Sequence, residues 1–262
     1  MHPIDALFQK NIRYALFCCV LFFAAGCSTL GESNDPEKMS AEALYKASKN
    51  AMNMADYETA LSFLETLESR FPFGRYTQQA QIDIIYAYYK FDEPESAIAS
   101  AERFIKLYPQ HPNVDYAYYM LGLSNFNKGM GSLDYLLDLD PVERDPGSAT
   151  EALNHFSNLV TQFPDSRYTN DAKQRVIYLH NNLAEHDVSV ARFYLDRQAY
   201  IAAARRASEV ILNYQRTHAA RDALVILSEA YQHLGLNSLS DDINRIKALN
   251  NIPKQDADIA GE

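Results

Sequence analysis

The segment ALSFLETLESRFP, residues 60–72, decides the fold because its pattern of apolar side chains recurs three more times along the chain. Counted from Ala60, apolar residues stand at offsets 0, 1, 4, 7 and 11, which places them on one face of a helix. The first three copies each end in a proline twelve residues after their first alanine, and proline cannot continue a helix interior. The four copies start at Ala60, Ala97, Ala152 and Ala203.

Amphipathic helices repeated in this way indicate a repeat protein, because none can bury its apolar face alone and each must pack against neighbours. The intervals between the four alanines are 37, 55 and 51 residues, against about 34 for a tetratricopeptide repeat (TPR). The second interval therefore contains an insertion at 129–147, and the third contains a lengthened helix. The pattern predicts an all-α, right-handed superhelical solenoid of about five TPR-like helix pairs.

Local signals place the helices of these pairs. Asp56 fits an N-cap, Pro94 fits a first helical turn, and Gly235 fits the C-terminal end of a helix. Only Glu68 breaks the apolar pattern. The predicted pairs are 41–53 with 56–71, 75–91 with 94–108, 112–128 with 147–163, 167–195 with 199–214, and 218–234 with 237–249.

The N-terminal residues 1–26 are predicted to be a lipoprotein signal peptide. Lys10 and Arg13 precede an apolar run of about twelve residues, shorter than the roughly twenty that span a bilayer. The small residues before Cys27 resemble a bacterial lipobox, which implies cleavage there and attachment of a diacylglycerol and an N-acyl lipid to Cys27. Ser28 then implies sorting to the outer membrane. The alternative is an uncleaved N-terminal anchor.

The expected order of segments follows from these signals. It is signal peptide 1–26, lipidated cysteine and flexible tether 27–40, N-terminal TPR-like repeats 41–128, insertion loop 129–147, C-terminal TPR-like repeats 148–250, and flexible tail 251–262.

Composition and sequence motifs argue against several classes of function. A net charge of −10 argues against nucleic-acid binding, which needs a basic surface. Cys18 and Cys19 lie in the signal peptide, so the mature chain retains only Cys27 and has no cysteine for a disulfide or a metal site. His180 and His186 do not form a metal-binding motif. We expect a protein without enzymatic activity, without a metal and without a cofactor other than the covalent lipid. The rival hypothesis is a hydrolase whose active site lies in the insertion 129–147.

The segment FPFGRYTQQAQIDIIYAYYK, residues 71–90, resembles the BamD family, the tetratricopeptide lipoproteins of the outer-membrane β-barrel assembly (BAM) machinery. The resemblance covers essentially the whole chain, with two departures. Tyr214 is followed by Gln215 where the family has proline, and Ala24 replaces the usual lipobox leucine. Further matching stretches lie at 111–116, 143–146, 163–168 and 221–224.

This resemblance implies partners and a place in the cell. The C-terminal repeats would bind a BamA-like barrel protein through its POTRA domains, and the N-terminal repeats would receive unfolded outer-membrane proteins. Other BAM lipoproteins would join them at the periplasmic face of the outer membrane. The rival is another lipid-anchored periplasmic TPR adaptor, for example one that scaffolds cell-wall enzymes.

Two groups of residues are candidates for these contacts. In the substrate groove, Arg75 would meet a carboxylate, and Tyr76 and Tyr86 would stack on an aromatic ring. The alternative is that this segment only fixes a turn, with Gly74 supplying backbone freedom. The groove candidates are Phe73, Arg75, Tyr76 and Tyr86; the insertase-docking candidates are Arg205, Arg206 and Arg221, each of which could instead lie on a solvated helix face.

Overall fold

Ten α-helices and no strand make up the residues that this computed structural model describes, which are 35–128 and 146–251. A short 3-10 turn, Pro36–Lys38, precedes the first helix. The helices are α1 (Ala41–Asn53), α2 (Tyr57–Arg70), α3 (Thr77–Lys90), α4 (Pro94–Leu107), α5 (Val114–Lys128), α6 (Pro146–Gln162), α7 (Thr169–Asp196), α8 (Tyr200–Asn213), α9 (His218–His233) and α10 (Asn237–Leu249).

The helices form five consecutive pairs, from α1–α2 to α9–α10. Each helix packs against the next one in the chain; in addition, α3 contacts α5 and α7 contacts α9. This arrangement confirms the predicted all-helical repeat solenoid of five helix pairs. The predicted helix boundaries agree with the observed ones to within two residues.

The recurring apolar pattern forms the core of the solenoid. The alanine that opens each copy is completely buried, as expected for a small residue in a close-packed contact between helices. The buried side chains fall into three clusters. The N-terminal core surrounds Leu44, Leu64 and Leu67, the central core surrounds Phe104, Phe156 and Leu159, and the C-terminal core surrounds Ala203, Ala207 and Val210.

The lengthened helix α7, with 28 residues, joins the central core to the C-terminal core. Leu179 in its first half packs in the central core, whereas Ala184 and Val188 in its second half pack in the C-terminal core. At 1.5 Å per residue, α7 is about 42 Å long. One continuous helix therefore fixes the spacing between the two parts of the solenoid.

The turns inside four of the five pairs share one geometry. A residue with positive φ follows the first helix, and the next backbone N–H donates to a carbonyl five residues back, as from Glu93 to Tyr88 at 3.0 Å. Glycine adopts this conformation without strain, which confirms the predicted helix end at Gly235. The positive-φ residues are Ala55 (57°), Asp92 (62°), Gln198 (60°) and Gly235 (71°).

Glu68, the break in the apolar pattern, connects three helices. Its Oε1 accepts a hydrogen bond from Gln81 Nε2 of α3 at 2.6 Å, and its Oε2 accepts one from Arg103 Nη2 of α4 at 2.9 Å. Gln81 is buried, so its amide group has lost most of its hydration. The carboxylate replaces part of that hydration, which explains a charged residue at an otherwise apolar position.

The predicted tether differs from the structure at its C-terminal end. Arg70 Nη1 donates to the carbonyl oxygens of Pro36 and Met39, at 2.8 Å each, and Ser40 Oγ caps α1 by accepting from a backbone N–H at 3.2 Å. Residues 36–40 are therefore part of the folded repeat, because the guanidinium of α2 ties the 3-10 turn and the residue that follows it to the first helix pair.

Several predicted segments lie outside the described residues. These are the signal peptide 1–26, Cys27 and the start of the tether, most of the insertion 129–147, and the tail after residue 251. Of the insertion, only residues 146 and 147 are described, and they begin α6.

Candidate polypeptide-binding site

The candidate groove begins at the turn between the first two helix pairs, residues 71–77. The Gly74 N–H and the Thr77 hydroxyl both donate to the carbonyl of Phe71, at 3.0 and 2.6 Å. Gly74 does not have a positive φ, so the expected backbone freedom is not what the turn uses. A Cβ there would lie 3.2 Å from the Phe71 carbonyl oxygen, so close approach is the reason for glycine.

At this turn Arg75 and Tyr76 form a stack with α1. The Arg75 guanidinium carbon lies 4.8 Å from the centroid of the Tyr76 ring, and Tyr45 stacks on the same ring at 5.0 Å with an interplanar angle of 21°. These contacts occupy the ring of Tyr76. The groups that reach solvent are the Arg75 guanidinium and Phe73, which is 100 % exposed.

The buried carboxylate of Asp83 interacts with Tyr45, one of the rings of this stack. Asp83 accepts hydrogen bonds from Lys49 Nζ at 3.1 Å and from Gln79 Nε2 at 3.2 Å. Burial, together with the charge of Asp83 and a hydrogen bond to it, raises the pKa of Tyr45 to about 12. The interaction with Asp83 thus links the ring that stacks on Tyr76 to a buried group of α3.

Tyr86 lies apart from the other groove candidates. It stands ten residues after Tyr76, about 15 Å further along α3. Its ring meets Tyr57 edge-on, with centroids 6.2 Å apart, and burial followed by the proximity of Tyr57 raises the pKa of Tyr86. The structure thus brings Phe73, Arg75 and Tyr76 together at the turn and places Tyr86 towards the other end of the helix.

An equivalent turn lies between the third and fourth helix pairs, residues 163–169. The Thr169 hydroxyl donates to the Phe163 carbonyl at 2.6 Å, the Arg167 guanidinium lies 4.8 Å from the Tyr168 centroid, and Tyr119 of α5 stacks on that ring at 4.7 Å. Sequence reasoning did not single out this turn as a site. The signal was present, because FPDSRYT at 163–169 repeats FPFGRYT at 71–77.

Hydrogen bonds to Asp171 hold the Tyr119 ring in place. Its Oδ2 accepts from Tyr119 Oη at 2.8 Å and from Arg175 Nε at 2.6 Å. Burial favours the neutral acid, but these hydrogen bonds outweigh it and keep the pKa of Asp171 below its ordinary value. Burial and the hydrogen bond to Asp171 raise the pKa of Tyr119 to about 12.

The three docking candidates lie on two helices and in different surroundings. On α8, Arg205 Nε lies 3.2 Å from Glu209 Oε1, and Arg206 Nη1 lies 3.6 Å from Glu209 Oε2 and 3.7 Å from Asp187. Arg221, on α9, lines a separate groove. The charges of Arg205 and Arg206 are thus partly neutralised within the chain.

The groove beside Arg221 has a volume of about 640 Å³ and lies between α8, α9 and α10. Leu212 and Ile246 line it and are 70 % and 41 % exposed, while Arg216 adds a second guanidinium. Sequence reasoning missed this groove because its apolar residues come from three helices whose packing the pattern does not specify.

No group of three or more histidine, cysteine, aspartate or glutamate side chains within the described residues could hold a metal ion. His111, in the turn between α4 and α5, accepts a hydrogen bond from the Asn113 backbone N–H at 3.0 Å. Across the described residues, no helix combines the length and the hydropathy needed to cross a membrane.

Comparison with known proteins identifies the family. A family model described as outer membrane lipoprotein (YfiO) matches residues 37–246. The chain is 42 % identical over 230 residues to outer membrane protein assembly factor BamD of Neisseria meningitidis serogroup A, covering 86 % of both chains. It is 42 % identical over 206 residues to the Vibrio cholerae protein of the same name, covering 79 % of this chain and 84 % of that one.

A relative from Haemophilus influenzae, also named outer membrane protein assembly factor BamD, is 32 % identical over 238 residues, which cover 91 % of this chain and 90 % of that one. Among solved structures, the TPR-like repeats of a putative kinesin light chain from Podosopora anserina cover 83 % of this chain and 97 % of that one, with 12 % identity and a TM-score of 0.36. The repeat fold rests on the helix order above. The chain belongs to the BamD family of outer membrane protein assembly factors.

Proposed function

We propose that this chain is a non-enzymatic subunit of the β-barrel assembly machinery, anchored to the outer membrane by lipid on Cys27 and facing the periplasm. Family membership supports a role in outer membrane protein assembly. The lipobox before Cys27 supports the anchor. Several acyl chains hold a protein at a membrane far more firmly than one chain does.

The N-terminal repeats receive unfolded outer-membrane proteins at the turn 71–77. The observation that carries this proposal is an exposed guanidinium, that of Arg75, which has no ion-pair partner among the described residues of a chain with net charge −10. Tyr76 holds the guanidinium in place, so a carboxylate can bind it with little loss of side-chain entropy. Phe73 offers the same ligand an apolar contact.

The C-terminal repeats bind the POTRA domain of the barrel insertase, and other BAM lipoproteins join the complex. Arg221 is the strongest of the three docking candidates, because it stands beside an apolar groove whereas Glu209 already pairs with Arg205 and Arg206. An apolar surface next to an exposed arginine is a common composition for a protein interface.

A pull-down of the full-length, lipidated protein from mild-detergent membranes tests this function. We expect it to recover a large POTRA-bearing barrel protein, and Arg221→Glu to reduce that recovery severalfold, because the substitution reverses the charge beside the groove. The matched control is Lys106→Glu, at an exposed position of α4 far along the chain. Recovery of cell-wall enzymes without a barrel protein would contradict the proposal.

A further inference from the structure

Two arginine–tyrosine stacks recur at equivalent places in the solenoid. Arg75 and Arg167 each stand two residues before the first helix of a pair, α3 and α7, and each lies 4.8 Å from the centroid of the tyrosine that follows it. In both turns a threonine hydroxyl donates to the phenylalanine carbonyl at 2.6 Å. The two sites therefore present a guanidinium in the same local frame.

The other two turns between pairs lack this arrangement. They keep the same backbone hydrogen bonds, from His111 to Tyr108 at 3.0 Å and from Thr217 to Tyr214 at 3.2 Å. The position of the stacking tyrosine is occupied by Asn113 in one and by alanine in the other. The turn can therefore form without the stack, so the stack is not needed to close the turn.

Both guanidinia are free to bind an anion. Neither Arg75 nor Arg167 has a carboxylate within ion-pair distance in 35–128 and 146–251, although acidic residues outnumber basic ones in the chain, 34 to 24. Nearby arginines are used differently: Arg175 pairs with Asp171 at 2.6 Å, and Arg70 binds two backbone carbonyls. Arg75 and Arg167 are thus each held by a ring without a carboxylate at ion-pair distance, although Arg167 also donates to the Tyr168 hydroxyl and feels the charge of Asp115.

We infer that the turn 163–169 is a second polypeptide-binding site, at which Arg167 binds a carboxylate of the same extended chain that Arg75 holds at turn 71–77. The inference rests on the proposed function, because the ligand is the unfolded polypeptide assigned to the first site. Tyr119 and Tyr168 supply an aromatic surface beside the carboxylate. Asp165 stands where the first site has Phe73, so the second site is less apolar than the first.

The repeat geometry sets the spacing of the ligand's acidic residues. Helix α5 lies between the two sites, since it packs against α3 and its Tyr119 stacks on Tyr168 at the start of α7. With about 8–10 Å for each of these two steps, the sites are separated by about 20 Å. An extended chain covers about 3.3 Å per residue, so about six residues bridge the two sites. A polypeptide with two carboxylates at that spacing would engage both arginines at once, and its affinity would exceed that of a single contact.

Fluorescence anisotropy with three labelled peptides tests the second site on the full chain. One peptide has a single Phe-Asp pair, the second has two such pairs separated by four glycine and serine residues, which places the two aspartates six residues apart, and the third has two pairs separated by one residue. We expect the second peptide to bind about tenfold or more tightly than the first, and the third to bind like the first. Arg167→Ala should abolish the gain of the second peptide and leave the single-pair peptide nearly unchanged.

The matched control is Arg197→Ala, which removes an arginine stacked on exposed Phe193 at 3.7 Å but located at a turn inside a pair. It should leave all three affinities unchanged. If the gain survives Arg167→Ala, the second site is wrong while the first can stand. If Arg75→Ala leaves the single-pair peptide unaffected, the proposed first site is wrong, and if no peptide binds, both are overturned.

Discussion

At the scale of single residues, Glu68 shows how a polar side chain can be required inside an apolar pattern. The other copies have Ile105, Val160 and Ile211 at this offset, so Glu68→Leu would make the repeat more regular. We expect it instead to lower the free energy of unfolding by about 1–3 kcal/mol, because buried Gln81 would lose its hydrogen bond. Urea unfolding followed by circular dichroism measures the change.

The double variant Glu68→Leu/Gln81→Leu distinguishes this cause from a general loss of packing. Removing both polar partners leaves no unsatisfied amide group, so the double variant should recover most of the lost stability. A single Glu68→Leu variant as stable as the parent would show that the hydrogen bond to Gln81 contributes nothing.

At the scale of elements, the turns inside the pairs depend on one residue with positive φ. We expect Gly235→Ala to lower the free energy of unfolding by about 1 kcal/mol, because a left-handed backbone costs other residues about 1–2 kcal/mol. By the same argument, Ala55→Gly should raise the free energy of unfolding by about 0.5–1 kcal/mol. The strain energy released in the folded state exceeds the cost of the greater conformational entropy of glycine in the unfolded chain. Thermal melts of both variants measure these effects.

The control for this pair is Ala47→Gly, inside α1, where the backbone is helical and glycine should cost about 1 kcal/mol. The prediction requires that glycine raise the free energy of unfolding at position 55 and lower it at position 47. If glycine destabilises the protein equally at both positions, the left-handed conformation at residue 55 carries no strain.

At the scale of the whole molecule, α7 should make unfolding cooperative between the central and C-terminal cores. Asn182 lies between Leu179 of the central core and Ala184 of the C-terminal core. A proline in a helix interior costs about 3 kcal/mol and interrupts the hydrogen bonds. We therefore expect Asn182→Pro to separate unfolding into two transitions, with the amides of α9 exchanging before those of α3.

Hydrogen exchange followed by mass spectrometry reports on the two helices independently. Asn182→Ala is the matched control, since it keeps the helix continuous and should preserve a single transition. Equal loss of protection in α3 and α9 of the proline variant would show that contacts other than α7 couple the two parts.

Much of this molecule could be predicted from the sequence, because local physics sets helices and their ends. The offsets from Ala60 and the helix-ending prolines specify amphipathic helices whatever surrounds them, and the ten observed helices match. Asp56 accepts a hydrogen bond from the Thr59 N–H at 3.1 Å, as its position before an apolar run predicted. A repeat fold is favourable for such predictions, since its contacts are mostly between neighbours in sequence.

Side-chain contacts between helices were decided by the tertiary structure. Gly122 looks like an ordinary helix-weakening glycine in the sequence, yet a Cβ there would lie 2.6 Å from the ring of Phe156 in the next helix. The stack of Tyr45 on Tyr76 and the groove beside Arg221 likewise join residues from different helices. The sequence determined the helices and their order, because those depend on near neighbours along the chain. Only packing decided which side chains remain exposed and unpaired, because that depends on what the adjacent helices bring beside them.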